Sequence, residues 1–259
     1  MTFQDILLKS HNGIATITIN RPDKLNAFRG QTIMEMERAI RTAIKEREVG
    51  VIVITGAGNK AFCVGGDIAE MNDLSAKTGR LFVTKLLKLA KSFIASPKPI
   101  IAKVNGYCLG GGNEIQLFCD LTIASEKSVF GQTGPKVGSA PLWGGTQILP
   151  LLVGPKKAHE IAFLCHQYPA REALEMGLIN KVVPELSLNS ITELICREIL
   201  EKSPQAIALA RASLYEGLLT KIEKDLKKLP KIYGSPELKE GMSAFLEKRK
   251  PDYSKLKGD

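Results

Sequence analysis

Residues that ligate metals or make covalent links are scarce in this sequence. The 259 residues include three histidines and five cysteines. His11, His159 and His166 share no metal-ligand spacing, so no metal site is expected. Cys63, Cys108, Cys119, Cys165 and Cys196 form no Cys-x-x-Cys pair, and an odd number cannot all be paired. Four of them stand in apolar surroundings, where a free cysteine acts as a small buried hydrophobe. A chain of this length buries roughly three-quarters of its unfolded surface and needs no such staples.

Long apolar runs are missing too. None approaches the ~20 uncharged residues that span a bilayer, so no membrane partner is expected. Met1 to Ser10 carries Asp5 and lacks a basic flank followed by an apolar stretch. Neither a secretory signal nor an Arg-rich, acid-free transit segment is expected there, and the cytoplasm is the expected location. Acidic residues are in deficit, 27 against 36 basic ones, and the net charge of +9 favours anionic partners. The excess gathers in Lys221 to Lys231 and Lys248 to Lys257. Aromatic residues make up 6% and do not cluster among these lysines. With no RRM, KH or zinc-knuckle signature, a nucleic-acid partner is not expected. The remaining composition, 44% hydrophobic and 24% charged, is that of an ordinary globular protein.

Periodicity supplies the elements. Residues 3–19 read as two short strands around the Asn12-Gly13 turn, the second alternating aliphatic with small or polar residues from Ile14 to Ile19. A helix follows over Gln31 to Glu46, with Ile33, Met36, Ile40 and Ile44 at helical spacing. Val51 to Ile54 is a continuous apolar run, as in a strand covered on both faces. A glycine-bearing loop, a helix over Lys77 to Ala95 and a strand over Ile100 to Val104 form a second cycle. A third has the Gly110-Gly111-Gly112 turn, a helix and the strand Leu121 to Ala124. Repeated strand–helix units predict an α/β layered core. From about Ser190 the spacing is helical throughout, broken at Pro204, Pro230 and Pro236.

Chemistry concentrates at two turns. Gly110-Gly111-Gly112-Asn113-Glu114 follows a buried strand and opens a helix, whose first N–H groups have no partner within it. Side-chain-free residues let a substrate approach those donors, a combination suited to an anion or developing oxyanion. Glu114 falls in the first turn, with its carboxylate near that point. Ala61 to Asp67 is a second such loop after a strand, and the two could each supply one N–H to a single oxygen. Neither ends in Gly-Lys-Ser/Thr, and no G-x-G-x-x-G occurs, which excludes the common nucleotide-phosphate loops.

These segments resemble the crotonase (enoyl-CoA hydratase/isomerase) superfamily, from about Ile14 to Lys257. The matching motifs include Asn20-Arg21-Pro22 with Leu25-Asn26-Ala27, Ala61 to Asp67, Pro97-Lys98-Pro99-Ile100-Ile101-Ala102 and Asn105-Gly106-Tyr107. They continue through Gly110 to Glu114, Phe130-Gly131-Gln132, Gly144-Gly145-Thr146-Gln147 and Phe245-Leu246-Glu247-Lys248-Arg249-Lys250. The resemblance implies a crotonase-like α/β spiral of ββα units over residues 1–189. It also implies a helical C-terminal region over 190–259, used in assembling trimers or dimers of trimers. The implied substrate is a CoA thioester, with no cofactor besides. Val64 and Gly111 fall where the family places its oxyanion amides, an effect typically worth ~3–4 kcal/mol per donor. Ala61, Cys63, Gly65, Asp67, Ile68, Gly110, Gln132, Thr133, Gly134, Ser139, Trp143, Phe245 and Lys248 are implied in substrate or CoA binding, Lys248 through a phosphate.

One catalytic position departs from the family pattern. Hydratases of the family carry two glutamates, and the second place is Gly134 here. The segment Gln132-Thr133-Gly134-Pro135-Lys136-Val137-Gly138-Ser139 resembles the 1,4-dihydroxy-2-naphthoyl-CoA synthase branch, where such a segment cradles bicarbonate, and the resemblance leaves a bound bicarbonate open here as well. Tyr233 matches a tyrosine that this branch brings into the site. Arg21 to Gly30 resembles 2-ketocyclohexanecarboxyl-CoA hydrolase. Both relatives place an aspartate where this chain has Pro141, and an apolar residue where it has Glu114. The expected activity is therefore that of an acyl-CoA lyase or hydratase acting on an unsaturated, cyclic or branched acyl group. The alternatives are hydrolytic C–C cleavage or Claisen-type closure of a β-keto acyl-CoA, and a non-catalytic RNA or protein binder.

Overall fold

The computed structural model describes residues 3–256. Met1, at the start of the segment read for a leader, and Lys257, at the end of the second basic run, lie outside them. Two sheets organise the chain. The larger has six strands in the order β1 (Ile6–His11), β2 (Ile14–Ile19), β3 (Val51–Gly56), β5 (Ile100–Val104), β7 (Leu121–Ser125) and β10 (Lys181–Val183). The first two form an antiparallel hairpin and the rest run parallel. Asn12 and Gly13 both take positive φ, 49° and 81°, as a two-residue turn matched to the strand twist requires. Residues of β2 alternate between half-buried and buried, whereas every residue of β3 is buried, as expected for edge-side and central strands.

The smaller sheet orders β4 (Ala61–Cys63), β6 (Tyr107–Leu109), β8 (Val129–Gly131) and β9 (Tyr168–Pro169). Sequence periodicity shows none of them, because strands of two or three residues are too short to display alternation. Each of β4, β6 and β8 follows closely on a long strand of the larger sheet, so the chain repeats long strand, short strand and helix as a spiral.

Helices α1 (Gly30–Lys45) and α3 (Ala76–Ile94) pack against each other, and the short α2 (Ile68–Asn72) directly precedes α3. Their buried faces carry Ile33, Met36, Ile40, Phe82, Leu86 and Phe93 into the main core. Helix α4 (Gly111–Leu117) follows β6. Helices α5 (Gly145–Val153), α6 (Pro155–Leu164) and α7 (Ala170–Glu175) separate β8 from β10. Helix α8 (Leu188–Leu200) covers the opposite face of the large sheet, where Val51, Val53, Ile101 and Ile123 form a second, smaller core with Leu188 and Cys196. Helices α9 (Pro204–Leu214), α10 (Leu218–Leu226) and α11 (Pro236–Leu246) complete the chain.

Arg211 anchors this last region. Its guanidinium is buried and donates to Asp120 Oδ2 at 2.9 Å, to the Phe93 carbonyl at 2.6 Å and to the Ile94 carbonyl at 3.0 Å. A further bond reaches the Ser96 carbonyl. Helix α9 is thereby tied to carbonyls at and just beyond the C-terminus of α3. The C-terminal segments then fold back: α10 packs on α3, and α11 on α2 and on the turn Gly134–Val137.

Candidate active site

The two glycine loops meet because β4 and β6 are parallel neighbours and end at the same edge. Gly65 has φ +101°, and Gly110 has φ +54° with ψ −124°, conformations that L side chains rarely adopt. A Cβ on Gly65 would lie 3.0 Å from the amide nitrogen of Gly111, so the loops are in contact. Phe28 braces the first loop, accepting from the Asp67 amide and donating to the Gly65 carbonyl, each at 2.8 Å. Among the described residues, neither the Val64 nor the Gly111 amide donates to a backbone carbonyl outside the regular elements. Gly111 opens α4, where the first amides have no intrahelical acceptor.

Both residues line one cavity of about 80 Å³. Glu114 reaches it from the first turn of α4 and is 6% exposed. Its Oε1 accepts from the amides of Trp143 at 2.9 Å and Gly145 at 3.2 Å. Burial pushes its carboxyl up to about 8, and those two amides only partly oppose the rise. Glu114 is the one carboxylate among the described residues that line the cavity. Gln132 is fully buried beside it, and neither its Oε1 nor its Nε2 has a hydrogen-bond partner among the described residues. A Cβ on Gly145 would lie 3.0 Å from Glu114 Oε1 and 3.2 Å from Gln132 Nε2, so both head groups crowd the same glycine.

Of the residues singled out from sequence, Val64, Gly65, Ile68, Gly110, Gly111, Glu114, Gln132, Thr133, Gly134, Ser139, Trp143 and Tyr233 all line this cavity. The Trp143 indole donates to the Leu86 carbonyl at 2.9 Å, which fixes the ring as a wall. Tyr233 is buried, and burial, then the nearby Glu114, push its hydroxyl up, so it stays protonated.

Five of the singled-out residues lie elsewhere. Ala61 and Cys63 are buried in β4, and burial pushes the Cys63 thiol up to about 12. The Asp67 carboxylate caps α2 through the Ala69 amide and pairs with Arg21 at 2.9 Å. Phe245, at 59% exposure, and Lys248 stand on the surface at the end of α11. Sequence reading missed Phe28, Met71, Phe82, Val137 and Leu229 as cavity residues. Helical spacing marks Phe82 as buried, but not that its face of α3 borders a void.

Among the described residues, no group of three or more His, Cys, Asp or Glu side chains could hold a metal ion. No helix among them is long and apolar enough to cross a membrane.

The fold has counterparts among solved structures. An enoyl-CoA hydratase from Mycobacterium avium subsp. paratuberculosis K-10 is 28% identical and superposes with a TM-score of 0.87, covering 97% of this chain and 99% of that one. An enoyl-CoA hydratase/isomerase from Xanthobacter autotrophicus Py2 is 32% identical, with a TM-score of 0.86 and coverage of 95% and 94%. An enoyl-CoA hydratase from Bacillus anthracis is also 32% identical, with a TM-score of 0.79 and coverage of 96% and 99%. The family model described as enoyl-CoA hydratase/isomerase matches residues 9–256, nearly the whole chain, and the chain belongs to that family.

Proposed function

We propose that this protein adds water to, or removes it from, an unsaturated acyl-CoA thioester, with Glu114 as its single proton shuttle. The observation that carries this is one buried carboxylate in a cavity that Val64 and Gly111 also line. Both N–H groups hold the thioester oxygen as negative charge develops on it, each lowering the barrier by about 3–4 kcal/mol. The α-carbon then becomes able to carry or lose a proton.

A lone shuttle must start empty. In hydration the Glu114 carboxylate takes a proton from water as the oxygen attacks the β-carbon, and the resulting carboxyl returns that proton to the α-carbon. In dehydration it takes the α-proton and delivers it to the departing hydroxyl. The unpartnered amide of Gln132, next to Glu114, holds the water, a task that the family's second glutamate would share. Tyr233 donates its hydroxyl to the polarised acyl group. Pro141 lines the cavity where C–C cleaving relatives carry an aspartate, which favours hydration over hydrolytic ring opening or Claisen closure.

Lys248 and Phe245, exposed together at the end of α11, suit a CoA phosphate and adenine contact, completed in an oligomer. Leu151, Leu209 and Leu214 are 77%, 67% and 85% exposed, apolar side chains of the kind that assembly as a trimer or dimer of trimers would cover. Five unpaired cysteines, all buried, suit a reducing cytoplasm.

The test is hydration of short 2-enoyl-CoA esters, followed by loss of the conjugated thioester absorbance. Glu114→Gln should lose about 10²- to 10⁴-fold in turnover and still bind the ester. Full activity in that variant, or activity on 2-ketocyclohexanecarboxyl-CoA or succinylbenzoyl-CoA alone, would overturn the proposal.

A further inference from the structure

We infer that the acyl group accepted by this cavity is compact, about four to seven carbons, and that Met71, Phe82 and Tyr233 set the limit; this rests on the CoA-thioester reading above. The cavity measures about 80 Å³. A group the size of a water molecule needs roughly 10–15 Å³ of such space, so roughly five to eight fit, and one place goes to the thioester oxygen.

The apolar wall is closed by buried side chains packed against neighbouring elements. Met71 of α2 lies across Gly66, where even a Cβ would collide with its sulfur. The Tyr233 ring sits in a notch of α3 made by Gly79, where a Cβ would stand 2.7 Å from Tyr233 Cγ and 2.8 Å from its Cβ. Phe82, three residues along α3, meets the Tyr233 ring edge-on at 6.1 Å and 74°. All three side chains are at most 8% exposed. A longer acyl chain would have to displace close-packed groups from elements pinned against one another, which cores resist. The wall therefore combines α2 and α3 of the spiral core with the C-terminal segment that carries Tyr233. Chain-length selection depends on that segment being docked.

The experiment measures calorimetric binding of saturated acyl-CoA esters, which cannot be hydrated, from acetyl- through butyryl-, hexanoyl- and octanoyl- to dodecanoyl-CoA. Wild-type affinity should peak at butyryl- or hexanoyl-CoA and fall about tenfold or more by dodecanoyl-CoA. Met71→Ala and Phe82→Ala should each raise the dodecanoyl-to-butyryl affinity ratio about tenfold. Phe82→Leu replaces the alanine variant if that one does not fold. An affinity that keeps rising through dodecanoyl-CoA, or folded variants with an unchanged ratio, overturns the size limit while leaving the CoA reading intact. Failure of every ester to bind overturns the CoA reading and the size limit with it.

Discussion

Glu114→Gln should change how stability depends on pH, not only how fast the protein turns over. The glutamine carbonyl can keep both amide bonds that Oε1 accepts, from Trp143 at 2.9 Å and Gly145 at 3.2 Å, so the fold is retained. In the wild type, burial raises the carboxyl from its ordinary 4.5 to about 8. The native state thus holds this proton more tightly than the unfolded chain does. The associated stability is complete below about pH 4.5, declines as pH rises, and is gone above about pH 8. The gap corresponds to an upper bound of about 5 kcal/mol. The variant has nothing to titrate there. Urea unfolding of both proteins at pH 5, 7 and 9, at one fixed protein concentration, should show the wild type losing ground to the variant at each step. Parallel pH dependences would refute a buried, proton-holding Glu114. Activity gives a second readout of the same group. In the proposed reaction the shuttle starts as the carboxylate, so kcat/KM should rise with pH toward about 8 and then level off.

Other perturbations separate catalysis from stability. Gln132→Met removes a buried amide with no partner, and should raise unfolding free energy by about 1 kcal/mol while hydration activity falls; loss of stability would contradict the orphaned amide. Arg211→Ala leaves Asp120 and the end of α3 without their buried partner, and should cost about 3–5 kcal/mol in denaturant unfolding. Gly145→Ala places a methyl 2.8 Å from Pro141 Cβ and 3.0 Å from Glu114 Oε1. It should reduce turnover more than it alters the circular-dichroism spectrum, and wild-type kinetics would count against the crowded site.

Long, periodic segments were legible without coordinates. The uninterrupted apolar run of β3 and the helical spacing of α1 and α3 translate directly into burial. Glu114 stands in the first turn of α4 because the three glycines fix where that helix begins. The smaller sheet was not legible, since strands as short as β9 leave no period. Asp67 shows a different limit. A carboxylate beside a glycine loop looks functional in sequence, yet its partner Arg21 is distant in sequence and engages it as an ion pair. The seat of Tyr233 was equally hidden, because Gly79 within an amphipathic helix looks merely unfavourable until the ring it accommodates is seen.

The proposed convergence of the Val64 and Gly111 amides on one oxygen is best tested by isotope-edited infrared spectroscopy of a bound acyl-CoA labelled with ¹³C at the thioester carbonyl. Two amides gripping that oxygen should lower its stretching frequency below the value in water. A bound carbonyl that absorbs at the aqueous frequency would contradict it.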